Sequence, residues 1–303
     1  MINFQKIQPH QRSEYESVLF SCPPRGCEYS FTNLCLWGRQ EVAFLHGCVA
    51  FFSHFYGRSV YPYPIGSGDK RAVLEEILRD AEGRGIPCRL TGLTDADRAE
   101  LEEWFPNLFR LHSSRDGFDY VYAIDDLADL KGRKFQKKRN HTNRFRAEHP
   151  DYQVLPLTVC NLALARHMVN DWYIQRMKDD PEGDYMLENI ALARAFQHYG
   201  QLGLDGIMLT EGDRVLAVTI GSRLNNNTFD IHFEKAREDV DGAYTVVNQE
   251  FARYLRLKYP ELQYLDREED MGLEGLRKAK LSYNPHHMME KHHATLAEVY
   301  NDL

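Results

Sequence analysis

The sequence predicts an α+β protein of two tandem domains, each a mixed, mainly antiparallel sheet flanked by helices. Three observations carry this. The length, 303 residues, suits two domains of roughly 150 residues each. The part after Pro150 reads as β-α-α-β-β-β-α-β-α-β. The first half contains strand and helix patterns that permit a second, degenerate copy of the same unit. The division expected is an N-terminal domain over 1–130, a basic linking helix over 131–150, and a C-terminal domain over 151–303.

In the first half, Val42–Phe44, Cys48–Tyr56 and Ser59–Tyr63 are rich in aromatic and β-branched residues and predict strands. A helix over about Asp69–Ala81 places Val73, Ile77 and Leu78 at helical spacing. A strand near Cys88–Leu90, a helix over Asp95–Trp104, and strands at Leu108–His112 and Phe118–Ala123 follow. Gly132 to about His149 predicts a helix ended by Pro150. Beyond it come a strand at Tyr152–Pro156 and helices over Asn161–Met177 and Tyr185–Tyr199. Strands at Gly206–Thr210, Val215–Leu224 and Thr228–Phe233 are joined by Glu211-Gly212-Asp213 and Asn225-Asn226-Asn227, both suited to tight reversals. A long helix over Gly242–Lys258, a strand at Leu262–Leu265, a helix over Leu273–Leu281 and an extended segment over His287–Leu296 complete the chain.

Composition excludes several classes. Aromatic residues make up 12% of the chain, which argues against disorder. The longest apolar stretch, Val42 to Phe52, is too short for a bilayer, and the N-terminus has no secretory pattern. The expected location is cytoplasmic. Six cysteines are scattered without a Cys-x-x-Cys pair; they read as core residues or free thiols, and a zinc site from Cys22, Cys27 and Cys35 matches no finger spacing. His286, His287, His292 and His293 have no carboxylate–histidine spacing either, so no metal is expected.

Charge is uneven. Lys131 to Arg146 holds eight basic residues and no acidic one, on a chain whose net charge is −8. Such a block marks a place for an anion such as phosphate, nucleic acid or a lipid headgroup; the plainer account is a solvated helix face. Lys137, Lys138, Arg139 and Asn140 are the candidate contacts.

Thr228–Glu234 alternates Phe229, Ile231 and Phe233 on one face with Asp230, His232 and Glu234 on the other. The polar row reads either as the wet face of an edge strand or as a cleft in which His232 or Glu234 contacts substrate or moves a proton. At Asp239-Val240-Asp241-Gly242-Ala243-Tyr244 a helix N-terminus could hold an anionic cofactor, with Gly242, Ala243 and Tyr244 its candidates. Asp239 and Asp241 would repel a pyrophosphate, and Asp241 reads more simply as an N-cap. Arg267, Glu268, Glu269 and Asp270 leave a strand and enter a helix carrying Arg277 and Lys280; Tyr283 follows. Carboxylates beside a cationic helix face could hold an amine and polarise a carbonyl, or form only a salt-bridge cluster.

The order of elements in the second half resembles the acyltransferase fold of the GNAT (acyl-CoA N-acyltransferase) superfamily. Three stretches add to this: Cys27–Leu34 with Trp37, Leu130–His141 with Asn143-Arg144-Phe145, and Arg267–Lys280 with Tyr283 and Pro285. Together they resemble the soluble bacterial family related to the C-terminal domain of phosphatidylglycerol lysyltransferase. Membrane-bound relatives move an aminoacyl group from a charged tRNA to a lipid with two tandem acetyltransferase-like domains. The resemblance implies such a tandem fold, Lys137, Lys138 and Arg139 near the domain junction, and the Arg277/Lys280 helix bordering the active cleft.

The leading expectation is an aminoacyl- or acyltransferase with aminoacyl-tRNA as donor and a small-molecule or peptide amine or hydroxyl as acceptor. In it Glu269 or Asp270 handles the acceptor amine, Arg277 and Lys280 stabilise an oxyanion or phosphate, and Tyr283 protonates the leaving oxygen. The alternatives are an acyl-coenzyme A-dependent N-acyltransferase using the Gly242 helix, and a non-catalytic RNA- or phosphate-binding protein on the same scaffold.

Overall fold

The computed structural model describes residues 1–55, 57–183 and 185–297. In chain order the elements are α1 (Arg12–Ser21), α2 (Phe31–Trp37), β1 (Gln40–Leu45), β2 (Cys48–Phe55), β3 (Arg58–Pro62), β4 (Ile65–Gly66), α3 (Lys70–Arg84), β5 (Arg89–Leu93), α4 (Asp95–Trp104), β6 (Phe109–Ser113), β7 (Asp119–Ala123), α5 (Ile124–Asp129) and α6 (Gln136–Glu148). They continue with β8 (Gln153–Pro156), α7 (Leu162–Asp179), α8 (Met186–Gln197), β9 (Asp205–Glu211), β10 (Arg214–Arg223), β11 (Thr228–Ala236), α9 (Ala243–Lys258), β12 (Tyr264–Asp266), α10 (Glu274–Leu281), β13 (His287–Met289) and β14 (His292–Leu296). The expected strands and helices are present within a few residues; α1, α2, α5 and the short β4 have no counterpart among the expected elements. The expected final extended segment is broken into β13 and β14.

Two compact units form, and their boundaries differ from the expected 130 and 151. The first unit takes Met1–Asp119, Glu269–Glu274 and the described part of 288–303; the second takes Tyr120–Glu268 and Gly275–His287. Strand pairing is the reason. β14 lies between β5 and β6 in the first unit's sheet, whereas β7 pairs with β12 in the second's. Local patterns predict that a strand exists but not which distant strand receives it.

The first unit's sheet runs β1-β2-β3-β5-β14-β6, with β4 also on β2. The β1–β2 turn carries His46 and Gly47, both at positive φ, the tight reversal that matches strand twist. β3 and β5 pair in parallel through Tyr61↔Leu90 and Pro62↔Thr91. α3 begins at an Asp69 cap and ends at left-handed Gly85; α4 begins with a Thr94/Asp97 capping box. Tyr61, Tyr63, Val73, Ile77 and Leu93 are fully buried in its core.

The second unit's sheet runs β13-β7-β12-β11-β10-β9-β8. Strands β8 to β11 are antiparallel, and α9 covers them with buried Val246, Val247, Phe251 and Leu255. β11 and β12 then pair in parallel for three positions only, Thr228↔Tyr264, Phe229↔Leu265 and Asp230↔Asp266. β12 stops there, while β11 continues to Ala236. Past Asp230 and Asp266 the two strands therefore part.

Candidate active site

β11 is a central strand, flanked by β10 and β12, so the edge-strand account of its polar face is excluded. Asp230, His232 and Glu234 do not share one face as alternation predicts: the β10–β11 register shifts opposite His232, so Asp230 pairs with Ser222 on one face while Glu234 pairs with Thr219 on the other, the side covered by α9. From the end of β12, Arg267 reaches back: its Nη2 donates to Glu234 Oε1 at 2.9 Å, with the two side chains 15% and 11% exposed. Burial opposes the charge of the Arg267 guanidinium, but neighbouring Glu234 outweighs it and holds the group cationic. Asn248 of α9 donates to the other Glu234 oxygen at 3.2 Å.

Tyr283 completes this cluster. Its ring meets two cations, with Lys138 Nζ 3.5 Å and Arg267 Cζ 4.9 Å from the centroid. Burial raises the phenol above its ordinary range, and Arg267 partly offsets it, so Tyr283 carries its proton at neutral pH. Lys138 has no carboxylate partner among the described residues. Burial, together with Arg267, pushes its ammonium down to about 8 against the pull of Glu234. With Lys138 protonated, the cluster has one net positive charge.

Three polar atoms here are buried without a hydrogen-bond partner: Arg267 Nη1, Asn248 Oδ1 and Thr219 Oγ1. Thr219 stands across the ladder from Glu234. An unmet guanidinium N–H and an unmet amide oxygen each cost about 1–3 kcal/mol when buried, more for the charged group. A ligand with an acceptor and a donor would satisfy both.

The remaining predicted residues go elsewhere. His232 is buried, its side chain 1% exposed. Nε2 is 2.8 Å from Ser222 Oγ, and Nδ1 lies near Asp230 and Glu268. Lys280 is buried and donates to the carbonyls of Arg267 and Glu268 at 2.5 and 3.1 Å, holding the turn that delivers Arg267. Arg277 is half-buried one turn earlier on α10. Glu269 and Asp270 belong to the first unit. Glu269 Oε2 accepts from Cys27 Sγ at 3.1 Å and lies 3.7 Å from Lys291 Nζ. Lys291 in turn meets Asp119 at 2.7 Å and Glu28 at 2.8 Å. Burial opposes ionisation of Glu269, but Lys291 prevails and lowers its pKa. Asp270 is buried against Arg115 at 3.0 Å and accepts from Gly272 N.

Of the basic block, Lys138 turns into the cleft, while Arg139 donates to the carbonyls of Leu130 and Gly132. Lys131 pairs with Asp129, Lys134 with Asp126, Arg144 with Asp241 and Arg146 with Glu250. Arg133, Lys137 and Asn140 are exposed. The free charge is thus far smaller than the sequence suggests, because carboxylates just before the block (Asp126, Asp129) and far beyond it (Asp241, Glu250) pair with it.

Gly242, not Asp241, is the N-cap of α9, and Asp241 is held by Arg144. A Cβ on Gly242 would come within 2.9 Å of the His141 carbonyl and 3.1 Å of Phe145 Cβ. The glycine therefore admits α6 against the start of α9. Ala243 behind it is fully buried, and Tyr244 is 39% exposed. Ser222, Thr219 and Asn248 were missed by the sequence reading. Their signal was polarity in apolar surroundings: Asn248 shares a helix face with Phe251 and Leu255, and Thr219 and Ser222 interrupt a β10 run that is otherwise mostly apolar.

Two β-meanders, each followed by a helix and a parallel strand, with a charged cleft where the second pair separates, define a tandem acyltransferase fold of the GNAT type. The chain belongs to the family described as phosphatidylglycerol lysyltransferase, C-terminal, whose model matches residues 21–295. It is similar over its whole length to a conserved protein of unknown function from Bacteroides thetaiotaomicron, with 36% identity, 98% and 100% of the two chains covered and a TM-score of 0.92. L-PGS from Bacillus licheniformis shares the fold at 15% identity, with 96% and 93% coverage and a TM-score of 0.66. An uncharacterised protein of Mycoplasmoides gallisepticum is 25% identical over 183 residues, 60% of this chain and 56% of its own length. The chain thus matches little more than half of that curated relative. No helix among the described residues is long and apolar enough to cross a membrane.

Proposed function

We propose that the second unit transfers an aminoacyl group from an ester donor, with aminoacyl-tRNA the donor class, to an amine or hydroxyl acceptor. The observation that carries this is the pairing of unmet groups in the β11/β12 cleft: Arg267 Nη1 as donor and Asn248 Oδ1 as acceptor. An α-aminoacyl ester has the complementary set. Its carbonyl oxygen takes the Arg267 N–H, and its ammonium takes Asn248 Oδ1 and the Glu234 carboxylate. As the acceptor attacks, negative charge grows on the carbonyl oxygen, where Arg267 and protonated Lys138 stabilise it. Tyr283, protonated at neutral pH, gives its proton to the departing ribose oxygen, and the proton that the acceptor loses on attack returns to the phenolate, so the phenol is restored. Exposed Arg133 and Lys137 are left to meet backbone phosphates, so donor affinity falls as salt rises. Membership of a lysyltransferase family supports the reaction class, and the acceptor follows from neither fold nor family.

The test is to mix the protein with a radiolabelled pool of aminoacyl-tRNAs, with and without amine and hydroxyl acceptors, and to follow release of the label. Loss of label from the tRNA in wild type, abolished in Arg267→Gln, supports the proposal. Inert aminoacyl-tRNA together with thiol release from acyl-coenzyme A would transfer the site to the alternative donor. Inertness toward both would leave a binding protein.

A further inference from the structure

A second cluster lies at the point where β11 and β12 separate. Asp230 and His232 project from one face of β11, two residues apart, and Glu268 leaves the end of β12 at φ 58. His232 Nδ1 is 3.4 Å from Asp230 Oδ2 and 3.4 Å from Glu268 Oε1. The potential donor atoms of the three residues all lie within 4.8 Å of one another. The Glu268 contact is a long hydrogen bond, beyond the usual range of about 2.7–3.2 Å, and one N–H cannot aim at two carboxylates at once. The separation instead matches the edge of a tetrahedron: ligand bonds of about 2.0–2.1 Å to zinc put neighbouring ligand atoms about 3.3–3.4 Å apart.

The other ring nitrogen strengthens this reading. Nε2 is 2.8 Å from Ser222 Oγ on β10. A histidine that ligates through one nitrogen is typically oriented through the other, and such partners tune affinity. The Asp230 and His232 side chains are 0% and 1% exposed, and two carboxylates with an imidazole would balance the charge of a divalent ion held there. The Glu268 side chain, 22% exposed, leaves a path for entry.

We propose that Asp230, His232 and Glu268 bind a divalent cation of the zinc class, with Ser222 fixing the histidine ring. This goes beyond the transfer reading and does not depend on it, since the readout is metal uptake rather than turnover. The protein, stripped with chelator and dialysed, is titrated with Zn2+ by calorimetry and with Co2+ by visible absorption. Wild type should take up a single equivalent, give the absorption of tetrahedral cobalt, and melt at higher temperature with Zn2+ present. Glu268→Gln keeps shape and removes a ligand charge; it should melt normally without zinc and lose the zinc-dependent shift. His232→Ala should abolish uptake, and Ser222→Ala should weaken it about 10–100-fold. His286, whose Nδ1 is 2.9 Å from that of His287, and Cys27 are the competing binders. Uptake that survives Glu268→Gln and His232→Ala but disappears in His286→Ala or Cys27→Ser overturns the proposal. So does a wild type that takes up no metal.

Discussion

The two units carry the same device with opposite fillings. In each, a parallel strand joins the last strand of a meander and the ladder soon ends. In the first unit the last ladder pair is Pro62↔Thr91. Just beyond it, the buried Tyr29 hydroxyl contacts the carbonyls of Tyr63 at 3.0 Å and Gly92 at 3.3 Å, one on each chain segment. Gly92 is required there, because a Cβ would come within 2.8 Å of that hydroxyl. Arg25 packs its guanidinium 5.6 Å from the Tyr29 ring centroid and pairs with buried Asp97. Every polar group named in this gap has an internal partner except Arg25 Nε. In the second unit the gap past Asp230↔Asp266 holds the Glu234–Arg267 pair with orphaned atoms around it. One gap is satisfied from within; the other keeps buried polar atoms without a partner, the feature on which the proposed site rests.

The difference can be broken from the first unit's side. Arg25→Met removes one partner of an ion pair whose side chains are 3% and 2% exposed. Leaving a buried Asp97 carboxylate without its cation should cost about 3–5 kcal/mol, read as a lower denaturant midpoint. Transfer per folded molecule should be unchanged. A stable Arg25→Met protein with no transfer would place the chemistry in the wrong unit.

From the second unit's side the expected effect is on rate. Arg267→Gln removes the donor proposed for the oxyanion and should slow transfer about a hundred- to a thousandfold. Measured by single-turnover release of label, the loss should appear in the chemical step, with tRNA affinity held. Equal loss of affinity and rate would make Arg267 a binding group only.

Tyr29→Phe sharpens the comparison with a smaller change. The substitution keeps the ring and removes the hydroxyl shared by the Tyr63 and Gly92 carbonyls. Leaving buried carbonyls without that donor should cost about 1–3 kcal/mol in chemical denaturation. Transfer should not respond.

How much of this was legible in the sequence depends on the kind of signal. Strand alternation predicts one polar row of Asp230, His232 and Glu234, but the β10–β11 register shifts opposite His232 and turns Glu234 to the α9 face, away from Asp230; a bulge of this kind leaves no mark in local alternation. Arg267 and Tyr283 stood in a recognisable stretch, and both reach the cleft. Helical spacing could not distinguish among Lys137, Lys138 and Arg139, because their fates depend on what lies opposite. Solvent meets Lys137, Tyr283 meets Lys138, and two backbone carbonyls meet Arg139. Lys280 read as a free cation for the same reason, although main-chain oxygens capture it. Glu269 and Asp270 adjoin Glu268 in sequence, yet the chain changes unit between Glu268 and Glu269. Unit membership there depends on long-range packing, which no local pattern encodes.

Lys138 makes the finest distinction between the gaps, through pH. Burial of its ammonium beside Arg267 lowers its pKa to about 8 from the ordinary 10.5. Between those values the unfolded chain binds the proton and the folded chain has released it. The unfolded state therefore holds more protons, and the contribution of Lys138 to stability rises with pH across that window. Transfer should respond in the opposite direction, because the oxyanion role proposed for Lys138 needs the charged form. Activity should fall through a single titration near pH 8, while the fold does not weaken through this group. Lys138→Arg keeps the charge at every accessible pH and should move that falling limb upward, with less than about a tenfold change at neutral pH. A limb that stays near pH 8 in Lys138→Arg would assign the titration to another group and leave Lys138 only a packing role against Tyr283.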